Sequence, residues 1–145
     1  MVGLPDDTMR VVNNPKSSKT IATRSSDGRI HTIWMGSLMA LSPDELTFAH
    51  ILMKRTQKNL EEMKGKGEPV SVSVTLGQSS YEIMAKVGDY QTSGSIYDRM
   101  IEELTKLGVM ENLEKFGMKV LGIWILEPEE VWIQGPGPNA GTRVS

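Results

Sequence analysis

The residues with the most chemical content lie between positions 54 and 58. Lys54, Arg55 and Lys58 crowd the expected first turn of a helix that starts near Thr56 in KRTQKNLEEMKGKG. A helix N-terminus is the positive end of the macrodipole, so each exposed cation there costs roughly 0.3–1 kcal/mol. The same turn presents backbone N–H groups with no intrahelical acceptor, and Thr56 adds a hydroxyl. Cations, free N–H groups and a hydroxyl at one point suit a bound anion, most naturally a phosphate. On charge alone a solvated basic turn fits as well. The strand leading in, LTFAHILM, tips the balance by placing an aromatic and aliphatic wall beside that point, as a phosphorylated aromatic ligand requires.

Other chemistries lack their residues. Zero cysteines remove disulfides, thiolate metal sites and cysteine nucleophiles, and fit a reducing, cytoplasmic interior. The two histidines, His31 and His50, fall on separate expected strands with no acidic cluster, so no metal site is expected. There is no phosphate-binding GxxxxGK[ST] loop and no nucleophile elbow. GPGPNAG has no helix after it to receive a pyrophosphate and reads as an exposed turn. The ten methionines are scattered, as gap-filling core residues are. His50 and Arg24 are the polar candidates, and neither is assigned a catalytic role.

The elements that must position the basic turn emerge from pattern. Asn13-Asn14-Pro15 stops a short helical turn after Pro5. A strand over Lys19–Ser26 runs into Asp27-Gly28, a strong hairpin signal. RIHTIWMGSLMAL has apolar residues on both parities and reads as one strand buried on both faces. After the Ser42–Glu45 turn comes the strand LTFAHILM, then the helix, ending at Gly65 or Gly67 with Leu60 and Met63 on its core side. From Pro69 to Gly77, Val70, Val72, Val74 and Leu76 alternate with polar residues, as in a half-exposed antiparallel strand. SYEIMAKVGDYQ is a further strand. SIYDRMIEELTKLG is an amphipathic helix with Ser95 and Asp98 at capping-box spacing and Ile96, Met100, Leu104 and Leu107 on one face. The next segment, VMENLEKFG, is compatible with a helical extension. MKVLGIWIL and EVWIQ close the set as two strands before an irregular tail, 135–145. The expected class is mainly β (α+β), a six- to seven-stranded antiparallel barrel with two or three helices.

Size and charge agree with this. The 145 residues suffice for one domain with its own core. Sixteen basic and eighteen acidic residues leave a formal charge of −2, and a pI near 5.7 argues against a nucleic-acid partner held by a broad basic surface. No apolar stretch approaches the ~20 residues of a membrane helix. Residues 1–20 show no apolar leader segment.

In the order of these elements the sequence resembles the FMN-binding split-barrel family, which includes pyridoxamine 5′-phosphate oxidases, flavin reductases and small FMN-binding proteins. The resemblance runs from about Leu4 to Gln134 and is carried by ATRSSDGRIHTIWMGSL, DELTFAHILMKRTQKNL and PVSVSV, with SGSIYDRMIEEL resembling the family's later helix. It implies a single split-barrel domain over 1–145, an FMN cofactor, and a homodimer with the cofactor at the subunit interface. By this resemblance Arg55 and Thr56, with Lys54 adjacent, hold the cofactor phosphate. Thr32, Ile33, Trp34 and Met35 line the ribityl chain and ring, with Trp34 over the ring edge; otherwise Trp34 is an ordinary core tryptophan. His50 and Ile51 lie along the flavin, and Ser80 matches a position that touches the ring. A partner-chain aromatic is expected to come from Trp124 or Trp132. The implied function is an FMN-dependent oxidoreductase acting on a small-molecule redox substrate. Alternatives on the same fold are a flavin carrier or electron-transfer protein, a relative binding deazaflavin or haem, and a cofactor-free interaction module. The chain lacks the Trp- and Arg-rich end of pyridoxamine phosphate oxidases, with only Arg143 near its end, so that specific activity is not implied.

Overall fold

The computed structural model describes residues 2–145. Pro5 leads into α1 (Asp6–Asn13), whose first turn holds Asp6 and Asp7 and whose last holds Arg10, as the dipole favours. β1 (Ser18–Arg24) and β2 (Ile30–Trp34) form the expected hairpin, with Gly28 at φ 86° in its turn. β3 (Met39–Ser42) and β4 (Glu45–His50) form a second hairpin around Pro43 and Asp44. Next come α2 (Lys54–Lys66), β5 (Pro69–Leu76), β6 (Ser79–Gln91), α3 (Ser95–Lys106), α4 (Val109–Lys115) and β7 (Gly122–Ile133). All pairings are antiparallel, in one sheet of order β2-β1-β5-β6-β7-β4-β3.

That order forces the sheet to curl. Seven strands laid flat would put β2 and β3 about 29 Å apart at ~4.8 Å per strand. Yet residues 35–38 alone join them, and the five steps from Trp34 to Met39 span at most about 18 Å. The two edges are therefore drawn together into a split barrel. Leu46, Phe48, Val72, Ile83, Leu126 and Val131 fill its interior. A second, smaller core of Met39, Ala49, Met100, Leu104 and Ile123 lies beneath α3 and α4 on the outer face.

The expected single strand over RIHTIWMGSLMAL is corrected to two, one at each edge of the sheet. β2 is no doubly buried strand, since Ile30 and Trp34 are 75% and 76% exposed. The doubly covered strand is β4, with Leu46 and Phe48 turned into the barrel and Ala49 turned toward the outer core. The last two expected strands are one, β7. Pro128 sits inside it, opposite Ala85 where the β6–β7 register shifts, so its missing N–H falls at a bulge. Ser95 and Asp98 make no capping box: Gly94 is the N-cap of α3 and no side chain caps it. Leu107, expected on the core face, is 49% exposed. With α4, the helices among the described residues number four. The tail is irregular but folds back on β7, where Ile133 N–H donates to the Thr142 carbonyl and Val144 N–H to that of Val131, both at 2.8 Å. No helix among the described residues is long and apolar enough to cross a membrane.

Candidate functional site

α2 is pinned by its buried face. Leu60 and Met63 enter the core, Asn59 Nδ2 donates to Thr23 Oγ1 at 3.1 Å, and the N-cap residue Met53 is itself buried. Gly67 ends the helix at φ 68°, as expected. The pinning leaves the first turn facing outward with Lys54, Arg55 and Lys58 exposed. The first helical bond runs from Gln57 N–H to the Met53 carbonyl at 2.7 Å, so the N–H groups of Lys54, Arg55 and Thr56 precede it. No side chain caps this end and its first turn holds no acid. Among the described residues, none of these three cations lies within ion-pair distance of a carboxylate. Thr56 is 1% exposed and its hydroxyl has no hydrogen-bond partner. A buried hydroxyl without a partner costs free energy. Its only counterpart among the described residues is Thr8 in α1.

Two hollows flank this turn. On one side a cavity of about 370 Å³ lies between α2 and the β1–β2 hairpin tip, with Arg29, Arg55, Lys58 and Asn59 in its wall beside Asp27 and Glu62. His31 faces the same region, and its imidazole is held below the usual histidine range by burial and by the Arg55 charge. On the other side a groove of about 340 Å³ is lined by Ile33, Trp34, Met35, Ala49, Ile51 and Met53. Met53 thus joins the apolar groove to the cationic turn. The exposure of Trp34 excludes the core-tryptophan reading, and Leu52 beside the groove is 73% exposed. Thr32 shares the exposed face of β2 with Trp34.

His50 is set apart from the groove because strand residues alternate faces. Ala49 and Ile51 line the groove, whereas His50 turns to Tyr90, with Nδ1 2.6 Å from the phenol oxygen. Tyr90 stacks on the buried Trp124 at a centroid distance of 4.9 Å, and Trp124 Nε1 donates to Gln57 Oε1 at 2.7 Å. Gln57 in turn donates to Glu61 at 3.1 Å. Burial holds the His50 imidazole below its ordinary pKa, opposed by the Glu61 charge, and pushes the Tyr90 phenol above its own. The pair is therefore neutral at pH 7. Gly122 makes this possible, since a Cβ there would stand 2.0 Å from the Tyr90 ring. The chain of groups from His50 to Gln57 escapes sequence patterning. Its one visible signal is a glycine opening an apolar strand, which marks a close approach.

The remaining candidates lie elsewhere. Ser80 is at the far end of β6 from Tyr90, about 30 Å away along the strand, with its hydroxyl 2.7 Å from that of Thr75. Trp132 lies near that end too, opposite Glu82. Trp124 is 2% exposed, so the expectation that it reaches a partner's cofactor is corrected. Arg24 pairs with Glu68 at 2.7 Å, beyond the C-terminal end of α2. Among the described residues no cluster of three metal-ligating side chains occurs.

The sequence matches no protein-family model and no curated protein. Solved structures do match in fold. An FMN-binding protein from Syntrophomonas wolfei superposes with a TM-score of 0.74 at 12% identity, over 90% of this chain and 85% of that one. A putative pyridoxamine 5′-phosphate oxidase from Lactobacillus delbrueckii gives 0.63 at 16% identity, over 90% and 93%. A haem-binding protein from Mycobacterium smegmatis gives 0.56 at 13% identity, over 93% and 56%. At these identities the likeness is one of fold, and the fold is the split barrel that the sequence resemblance implied.

Proposed function

We infer, for a chain with the fold of the FMN-binding split barrels, that it binds FMN at the start of α2 and acts as a flavin-dependent oxidoreductase on a small molecule. The observation that carries this is the unpartnered, buried Thr56 hydroxyl within an uncapped helix turn bearing Lys54, Arg55 and Lys58. A phosphate there would give the backbone N–H groups and the hydroxyl an acceptor and the cations a counter-charge. The adjoining groove of Ile33, Trp34, Met35 and Ile51 suits the apolar ring system. Bound flavin supplies hydride and electron chemistry. The chain's own residues bind the phosphate, orient the ring through the groove and shield it from water. Exposed Trp34 and Leu52 at the groove, with exposed Ile30 further along β2, support a second copy covering it, giving a homodimer with the cofactor between subunits. The cysteine-free composition supports a reducing, cytoplasmic setting.

The test is the chromophore and its phosphate. A purified preparation should be yellow and release FMN. Arg55→Ala with Thr56→Ala should weaken FMN by about 100-fold, the loss of roughly two charge-assisted hydrogen bonds. Riboflavin, which lacks the phosphate, should change little, and equal losses for both would overturn the assignment. A haem reading has one supporting observation: Tyr90 engages Nδ1 of His50, so Nε2 of that ring would be the atom to hold the haem iron. A haem absorption band lost in His50→Ala would establish it in place of FMN. An extracted deazaflavin would replace FMN while keeping the groove. Yellow protein that no nicotinamide donor reduces would be a flavin carrier.

A further inference from the structure

Lys19 is the only buried charged residue among the described residues, at 6% exposure. Its ammonium donates one hydrogen bond, to the Leu38 carbonyl at 2.8 Å, and no carboxylate lies within ion-pair distance. A buried cation without a counter-charge is unfavourable, and burial pushes this amine below the ordinary lysine range. Lys19 also lines a cleft of about 560 Å³ between β3 and α3. The half-exposed Arg99 stands at the mouth of the cleft. It donates to the Leu41 carbonyl at 3.0 Å and lies 3.9 Å from Glu45, which leaves further guanidinium N–H groups available. Met39 and Leu41 supply apolar wall between the two cations. Glu102 and Glu103 also reach the mouth, where Lys106 lies 3.5 and 3.4 Å from them. Gly36 and Val109 line both this cleft and the apolar groove, so the two hollows adjoin.

We propose that the cleft binds the single anionic headgroup, carboxylate or phosphate, of a small amphipathic substrate, with Lys19 at its floor and Arg99 at its mouth. The anion supplies the counter-charge Lys19 lacks. The apolar wall receives the body of the molecule, and the rim carboxylates disfavour a second acidic group. That the occupant is a substrate rests on the flavin reading, because the adjoining groove would hold the ring against which such a molecule reacts.

The test is a thermal-melting titration of the FMN-loaded chain, in which the α2 turn is already filled, with benzoate and with phenyl phosphate at constant ionic strength. At least one probe should raise the melting temperature saturably, and the tighter one identifies the headgroup. Lys19→Met should abolish the rise and Arg99→Gln should weaken the probe about tenfold, while the FMN content of both stays unchanged. An unresponsive native chain, or an undiminished response in Lys19→Met, would overturn the proposal. If Lys19→Met fails to fold, Arg99→Gln decides, together with amide shifts in the native chain. Changes on probe addition should centre on Leu38, Met39 and Arg99, and changes confined elsewhere would also overturn it. If the chain takes up no FMN, the titration is run on Arg55→Ala/Thr56→Ala. A response there upholds the cleft while the flavin reading fails.

Discussion

Gly122 lets Tyr90 lie across β7, and Tyr90 in turn holds Nδ1 of His50. Together with the burial that lowers both histidine pKa values, this sets how the molecule responds to acid. In the unfolded chain an imidazole takes up its proton near pH 6.5, whereas in the fold both rings take it up only at lower pH. The unfolded state therefore gains protons first as pH falls. The stabilisation is complete above about pH 6.5 and declines through the folded-state values below it. Melting temperature should fall as pH drops below about 6.5, and His31→Gln with His50→Gln should flatten that decline. An undiminished slope in the double variant would assign it to other groups. Neither histidine belongs to a strong motif, so their surroundings were not legible in the sequence: burial and the Arg55 charge come from elements distant along the chain.

The first turn of α2 is where helix energetics and the proposed phosphate binding oppose each other. Thr56 holds a hydroxyl in the interior with no partner, a cost the bare protein carries. Thr56→Val keeps the shape and removes the orphan. It should raise the melting temperature of the FMN-free protein by ~3 °C, equivalent to about 1 kcal/mol, while lowering its affinity for FMN. A fall in both would show that the hydroxyl serves the fold alone. The charges of this turn were readable from sequence because macrodipole and capping preferences are local rules. So was β5, where Val70, Val72 and Val74 alternate into the barrel. The run from Arg29 to Leu41 misled for a related reason. Apolar residues of both parities indicate cover on two faces, but here Ile30 and Trp34 are left uncovered within the single chain. Lys19 gave no signal either, since a lysine in a strand is ordinarily exposed.

At the scale of the molecule, the uncovered residues of β2 and the groove argue for assembly. A second copy over Trp34 and Leu52 should give a particle of roughly twice 16.0 kDa by light scattering. Trp34→Asp with Leu52→Lys should reduce it to a monomer and weaken FMN, whereas a native chain already monomeric with FMN bound would exclude a shared site. The segment 35–38, which joins the two edges of the sheet, bears on folding order as well as on shape. The hairpins it connects, β1–β2 and β3–β4, are local and quick to form, but they sit at opposite ends of a sheet whose middle is β5-β6-β7. The short tether keeps the hairpins close from the outset, and the later strands must enter between them before the seam can shut. Met35 and Gly36 of that tether help wall the groove, and Gly36 the cleft. Each hollow thus draws its walls from both sides of the seam. A ligand held in either would therefore act as a latch on the finished barrel, slowing its opening without hastening its formation.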